Sequence, residues 1–281
     1  MGRPCRILVA GNVTLDRYGP AFVPGGPAYY TTRTHLGLGA AVRVATSAAA
    51  DFPRDALRGA EVDVAPSAHT TTFTNSYGPG GARSQRVDAA APPVDPGRVP
   101  PGWRAPDVLH LAPVLGELDL RAWLEATRAR VVGLCVQGCV RALAPGGEVT
   151  QPRWDVNGAT LRGVHAACVG EDDLRGQGDL LDRLAAAIPV VAFTQGARGC
   201  ELLVRGRARR VGVFPAREVE PTGAGDVFAA ALFQGLAEGL DPVESARLGA
   251  AAASIVIEAR AGEALGRIGE ARARAAAVPV G

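Results

Sequence analysis

Short apolar runs alternate with helical stretches along most of this chain, and that alternation leaves few folds open. Residues 6–10 are an apolar run ending at Gly11, and an irregular stretch leads from there to Gly25-Gly26-Pro27. The spacing predicts a helix over 27–36, with Pro27 suited to its first position and Gly37 and Gly39 to its end. A strand is expected over 42–47. Strand, helix and strand in this order form a parallel crossover unit. Further strands are expected over 108–112, 130–136, 164–169 and 189–194, and helices over 117–128 and 177–187. Two short strands around Arg205-Gly206 and helices over 224–238, 242–259 and 267–277 complete the chain. The pattern predicts an α/β fold, an open and mostly parallel sheet with helices on both faces.

One segment breaks the rhythm. Residues 70–77 are rich in Thr, Phe and Tyr, Gly78-Pro79-Gly80-Gly81 is a turn cluster, and 83–87 can return as a partner strand. An antiparallel hairpin is therefore expected at 69–88, inserted into the alternating chain. With 281 residues and 47% hydrophobic content, the chain is long enough for one large core, so a single domain over 1–281 is expected.

Charge and residue usage exclude several functions. The formal net charge is +2, which provides no electrostatic case for nucleic acid or an anionic membrane. The sequence contains no lysine. A phosphate loop ending in Gly-Lys-Ser/Thr and a lysine Schiff base are thereby excluded, so phosphate must be handled by arginine, backbone N–H groups or metal. The cysteines, Cys5, Cys135, Cys139, Cys168 and Cys200, lack zinc spacing and read as buried free thiols of a reducing compartment. The start of the chain lacks the features of a signal peptide and no stretch has the length of a membrane span, so a cytoplasmic protein is expected.

The segment richest in chemistry is Glu220-Pro221-Thr222-Gly223-Ala224-Gly225-Asp226, which leads into a strong helix. Gly223, Ala224 and Gly225 fall at its first turn, where N–H groups lack helical partners and the dipole favours an anion. Asp226, in the same turn, is within reach of that anion and can accept a proton from an attacking hydroxyl. The same residues also suit a plain helix start, with Asp226 as a favourable first-turn charge. The spacing falls short of a dinucleotide fingerprint.

Thr222-Gly223-Ala224-Gly225-Asp226 resembles the C-terminal signature of the ribokinase-type sugar kinases, the phosphofructokinase B family. Three more segments follow that family in order. Gly11-Asn12-Val13-Thr14-Leu15-Asp16 resembles its first strand and substrate-binding aspartate, and Gly25-Gly26 its di-glycine. Thr194-Gln195-Gly196-Ala197-Arg198-Gly199 resembles the segment lining the nucleotide. The resemblance implies a three-layer α/β sandwich with a small β lid, built from segments at about 12–26 and 69–88. It implies ATP and Mg²⁺, often with a stimulating K⁺, and a hydroxyl acceptor on a sugar, a cyclitol such as myo-inositol, or a nucleoside. It also implies Asp226 as base and Gly223, Ala224 and Gly225 as anion hole. Asp16, Gly25, Gly26 and Tyr30 fall at acceptor-binding positions, and Thr194, Gly196, Gly199 and Thr222 at nucleotide-binding ones. A homodimer paired through the lid is a further implication.

The chain departs from the family at defined points. Gly170-Glu171-Asp172-Asp173 stands where an Asn-x-x-Glu segment organises Mg²⁺, which leaves Glu171 and Asp173 as candidate metal carboxylates. They also read as an acid-rich helix start. Tyr30 stands where an Asn often follows the di-glycine, and Glu220-Pro221 replaces the common Asp-Thr. Arg83 and Arg86 either solvate the hairpin or steer phosphate. No cluster of basic residues awaits a second phosphate on the acceptor. The competing readings are a sugar- or nucleotide-binding regulator on the same fold and a dehydrogenase. The altered 170–173 segment favours the regulator and the retained Asp226 the kinase, while the missing fingerprint counts against the dehydrogenase.

Overall fold

The computed structural model describes residues 3–77 and 83–281, with the backbone alone for 75–77, 83 and 84. The expected turn cluster at 78–81 lies outside the described residues. The first strand, β1 (Arg6–Ala10), shows how the layers arise. Ile7 and Val9 point into one buried cluster, and Leu8 and Ala10 into another on the opposite face. Period-two alternation of all-apolar residues is what a strand covered on both faces requires.

In chain order the elements that follow are β2 (Thr14–Tyr18), β3 (Ala21–Gly25), α1 (Gly26–Gly37), β4 (Ala41–Ala48), β5 (Glu61–Pro66), β6 (Thr71–Tyr77) and β7 (Arg83–Ala89). Then come β8 (Val108–Leu111), α2 (Leu120–Ala126), β9 (Val131–Cys135), β10 (Ala142–Leu143), β11 (Val149–Thr150), β12 (Ala166–Gly170) and α3 (Leu180–Ala187). The chain closes with β13 (Val190–Thr194), β14 (Cys200–Val204), β15 (Arg207–Val211), α4 (Ala224–Glu238), α5 (Pro242–Val256) and α6 (Ala271–Ala275).

The central sheet has nine strands in the order β15-β14-β13-β12-β9-β8-β1-β4-β5, parallel except for the β14 and β15 edge. From β1 the chain winds outward through β4 and β5, then returns to the other side of β1 at β8. That reversal opens a crevice at the carboxyl ends of the strands, where α/β sheets bind ligands. A second sheet, β3-β2-β6-β7, stands apart from the first as the β lid. The hairpin expected at 69–88 is half of it. The other half, β2 and β3, lies in the stretch that reads as irregular in sequence. Pro24 sits in β3, an edge strand, where a missing N–H is tolerated. The strand β5 and the small β10–β11 hairpin were not foreseen. The helix expected at 267–277 is a 3₁₀ stretch over Glu263–Glu270 followed by the short α6. The five cysteines are free thiols, as expected.

α4 and α5 cover one face of the sheet with small residues. Gly133 of β9 lies under the Phe233 ring of α4, where an added Cβ would stand 2.1 Å from the ring. Beneath α4 runs a buried polar chain. Gln234 Oε1 accepts from His35 Nδ1 at 3.0 Å, so His35 Nε2 accepts from His110 Nδ1 at 3.0 Å, and His110 Nε2 accepts from the Cys135 thiol at 3.2 Å. The Gln234 amide is oriented by donating to Glu238 at 2.8 Å. Burial, opposed by the hydrogen bond to Gln234, pushes His35 down to about 4, and burial with the neighbouring His35 depresses His110.

This has a consequence for stability. An unfolded His takes its proton near 6.5, whereas folded His35 takes it near 4. The unfolded state therefore binds more protons between those values, and stability rises with pH across that window. We expect about 3 kcal/mol from His35 to be present above pH 6.5 and lost as the pH falls toward 4. Urea unfolding at about pH 7.5 and about pH 5 measures it, in an Asp226→Asn background because that acid, raised to about 7, shifts stability the opposite way over the same window. The two stabilities should differ by about 2 kcal/mol; equal stabilities there would mean that the folded protein protonates this ring freely.

Candidate active site

The crevice at the strand carboxyl ends holds two adjoining cavities. The inner one is lined from the lid by Thr14, Asp16, Phe73 and Gln85, and from the body by Tyr30, Gln137, Arg141, Asp173 and the 221–226 turn. The outer groove, of about 400 Å³, is lined mainly by apolar side chains, among them Val213, Phe214, Phe228, Ala253 and Ile257. Thr194, Pro221 and Gly225 line both, so the two meet at the first turn of α4.

The lid side of the inner cavity depends on β2, whose residues 14 and 16 share a face. Asp16 is buried and accepts from Thr14 Oγ1 at 3.2 Å. Gly25 leaves room for that carboxylate, since a Cβ there would stand 2.5 Å from Asp16 Oδ2. Gly26 opens α1 with φ of +80°, and a Cβ on it would meet the Thr14 methyl at 2.7 Å. The di-glycine is thus required by its packing against Thr14 and Asp16. Behind it, buried Asn12 ties β1 to its neighbours: its Oδ1 accepts from Ser47 N at 3.0 Å, and its own N–H donates to buried Glu117 at 3.0 Å.

On the body side, Gly223 adopts φ of +81° against the face of Tyr30, 2.4 Å from a would-be Cβ. The N–H of Ala224 donates to Pro221 O at 3.1 Å. Of the expected anion hole, Gly223 and Gly225 therefore keep free N–H groups among the described contacts, joined by that of Asp226, while Ala224 turns its methyl to the outer groove. Burial raises the Asp226 carboxyl to about 7; Arg141 opposes the shift, and Asp173 and Asp16 add to it.

The two candidate metal carboxylates part company. Glu171 is exposed and pairs with Arg198 at 2.6 Å, away from the inner cavity. Asp173 is buried in the cavity wall and accepts from Gly170 N at 2.8 Å; burial raises it, opposed by that bond and by Arg141. Of the two, only Asp173 faces the inner cavity, because Glu171 reaches outward to the arginine of a neighbouring turn. Among the described residues, no group of three or more His, Cys, Asp or Glu forms a metal cage. A carboxylate or two beside a phosphate site still fits Mg²⁺, which keeps most of its waters and binds through substrate phosphates.

Gly196 and Gly199, expected at the nucleotide, line the outer groove, and Thr194 lines both cavities. Thr222, expected at the nucleotide, lies instead on the inner cavity, its hydroxyl donating to Glu220 at 2.8 Å. Arg86 is exposed beside Asp88, and the Arg83 side chain lies outside the described residues. Sequence reasoning missed Arg141, Gln137, Gln85 and Phe73. Gln85 and Phe73 were within the foreseen hairpin, but Arg141 sits in a stretch without periodicity that offered no signal. Cys135 and Cys168, neighbours across β9 and β12, also face the cavity.

Residues 164–264 match the model of the pfkB family carbohydrate kinases. Over 59 residues, 21% of this chain, the sequence is 48% identical to an inositol 3-kinase of Oryza sativa subsp. japonica, of which it covers 15%. Over 69 residues, 24% of this chain, it is 39% identical to a 5-dehydro-2-deoxygluconokinase of Bacillus anthracis (strain A0248), of which it covers 21%. The aligned part thus spans about a fifth or less of these relatives' lengths. Among solved structures, the ribokinase of Thermotoga maritima superposes with a TM-score of 0.71 at 18% identity, covering 97% of this chain and 98% of that one. A myo-inositol-3 kinase converted from a pyrophosphate-dependent myo-inositol-1 kinase gives 0.74 at 19%, covering 92% and 98%. At such identities these likenesses establish the ribokinase fold.

The two glycines of the turn should respond differently to the same substitution. Gly223→Ala forces a left-handed Ala, costing about 1–2 kcal/mol, and drives its methyl into Tyr30. Gly225→Ala meets no atom within 4 Å, so its stability should stay within about 0.5 kcal/mol of the parent. Urea unfolding of both variants checks this; equal losses would mean that contact with Tyr30 is not what demands glycine at 223.

Proposed function

Given the pfkB-family carbohydrate kinase segment at 164–264 and the ribokinase fold of the whole chain, we propose that this protein is an ATP-dependent kinase of a small polyhydroxylated acceptor, a cyclitol such as myo-inositol, a sugar or a nucleoside. The observation that carries the reading is the meeting of a polar inner cavity and an apolar outer groove at one helix turn, with Asp226 at the junction. A cavity wall of carboxylates, amides and hydroxyls suits an acceptor rich in hydroxyl groups, because each buried polar group needs a partner. An apolar groove suits a nucleobase better than pyrophosphate, which would need basic side chains along its length. This supports ATP as donor even though relatives of the same fold include pyrophosphate-dependent kinases.

In the proposed reaction the acceptor hydroxyl, held by Asp16, gives its proton to Asp226 as its oxygen attacks the γ-phosphorus. The bond from that phosphorus to the β–γ bridging oxygen breaks, and ADP leaves. The free N–H groups of Gly223 and Gly225 and the guanidinium of Arg141 face the charge spread over the transferring oxygens. When bound, Mg²⁺ neutralises phosphate charge, and Asp173 is the body carboxylate positioned to orient its waters. An acid near 7 is suited to base catalysis, since about half of it is ionised at neutral pH while it retains basicity. The second reading, a binding protein with little catalysis, draws on the altered 170–173 segment.

ADP release from Mg·ATP, with and without K⁺, should be measured against myo-inositol, ribose, fructose, adenosine, cytidine and fructose 6-phosphate. Turnover on one compound, reduced about 10²–10⁴-fold in Asp226→Asn with binding kept, is the expected result. Near-normal turnover in the variant would remove Asp226 as base. No turnover by the parent protein, despite ATP binding, would favour the binding protein.

The same assay yields a pH profile. Asp226 acts as its anion, so kcat/KM should climb about tenfold per pH unit on the acid side and level off above about 7. A flat profile from pH 5 to 8 would place the ionisation elsewhere.

A further inference from the structure

Glu220 lies where three segments distant in sequence cross. Its Oε1 accepts from Tyr18 Oη of β2 at 2.5 Å and from Thr222 Oγ1 at 2.8 Å, and its Oε2 accepts from the Ala261 N–H at 3.0 Å. The N–H groups of Val219 and Glu220 both donate to Ile257 O, at 2.8 and 3.2 Å, which fixes the backbone beneath the carboxylate. Burial opposes its charge, but the hydrogen bonds from Tyr18, Thr222 and Ala261 outweigh it and hold the carboxyl below its ordinary value. A charged acceptor makes each of those bonds stronger than a neutral pair would be.

The partners are placed tellingly. Thr14, Asp16 and Tyr18 alternate along one face of the lid strand; the first two line the acceptor cavity and the third reaches Glu220. Thr222 directly precedes Gly223, the start of the anion turn. Gly262, beside Ala261, packs on the same Tyr30 ring as Gly223, with would-be Cβ distances of 3.2 and 2.4 Å. One carboxylate therefore joins the strand that carries Asp16, the loop that carries the free N–H groups, and the turn that buttresses their common ring.

We propose that Glu220 is a positioning residue that couples the lid's grip on the acceptor to the shape of the 222–225 anion turn, with Tyr18 as the lid's half of the latch and Thr222 as the loop's half. The proposal rests on the kinase reading and deepens it. Glu220 touches neither reacting group; it acts through Tyr18 and Thr222. Acceptor held on Asp16 steadies β2, and through Tyr18 and Glu220 steadies the turn that must meet the transferring phosphoryl group.

Tyr18→Phe removes one hydroxyl and keeps the ring, so the fold should survive with little change in melting temperature. Hydrogen exchange on the full chain without ligands should rise in peptides covering both 14–18 and 219–225, and stay unchanged at 131–135. In steady state, with the acceptor that the parent protein turns over, kcat should fall about tenfold. Any lowering of KM for ATP by saturating acceptor should vanish. Glu220→Gln, which keeps an oxygen for Tyr18 and Thr222 but turns an NH₂ toward the Ala261 N–H, should recover part of the rate that Glu220→Ala loses. Unchanged exchange at 219–225 in Tyr18→Phe would overturn the latch, as would unchanged kinetics in an active protein. If the parent protein phosphorylates nothing, the exchange experiment still decides: joint loosening of the two segments keeps the latch while the kinase reading falls.

Discussion

The position of α4 governs the rest of the site, and it rests on one missing side chain. Phe233 packs directly on Gly133 of β9, which has no Cβ to hold the ring off. A methyl there would push the helix outward, and with it the turn at its N-terminus. α5 in turn packs close on α4 through Gly235 against Ser245 and Gly249 against the Phe228 carbonyl. Close approach of small residues fixes helices tightly, since interiors pack to crystal-like density and resist displacement. The Ala- and Gly-rich composition of this region is therefore the means by which Asp226 and the 222–225 turn are held against the crevice.

Electrostatics divides the crevice into two environments. The inner cavity gathers three carboxylates, Asp16, Asp173 and Asp226, and among the described lining residues one guanidinium, Arg141. Burial and like charge raise Asp226 while Arg141 restrains the rise, so the acid ends near neutrality. The outer groove is apolar and carries little charge to compete for phosphate. A donor lying in the groove would point its phosphates toward the junction at Gly225, where N–H groups and Arg141 supply the positive potential. The arrangement uses no lysine, consistent with a chain that has none.

The polar chain from Glu238 through Gln234, His35 and His110 to Cys135 links the far end of α4 to the wall of the inner cavity. Each heteroatom has a partner of fitting polarity, so the chain fixes both ring tautomers. A satisfied buried network of this kind orients its members sharply, because every alternative leaves a donor facing a donor. α1 and α4, whose N-terminal turns both line the inner cavity, are thus held in register by His35 and Gln234.

What was legible in the sequence was local. The alternation of apolar residues declared the parallel sheet, and Gly223 through Asp226 declared a helix start with open first-turn N–H groups and an acid beside them, because backbone conformation and first-turn N–H groups depend on neighbours in the chain. The alternation did not show β2 and β3, because Asp16, Arg17 and Pro24 interrupt it and the strands pair only once the lid sheet forms; the resemblance alone placed lid segments there. Residues 171 and 173 are indistinguishable as acids in sequence; folding sends Glu171 to Arg198 and Asp173 into the cavity. Arg141, the Glu220 crossing and the His35–His110 chain were decided by tertiary structure alone. Each depends on groups brought together from distant strands, turns and helices, and no pattern along the chain records a distance in space.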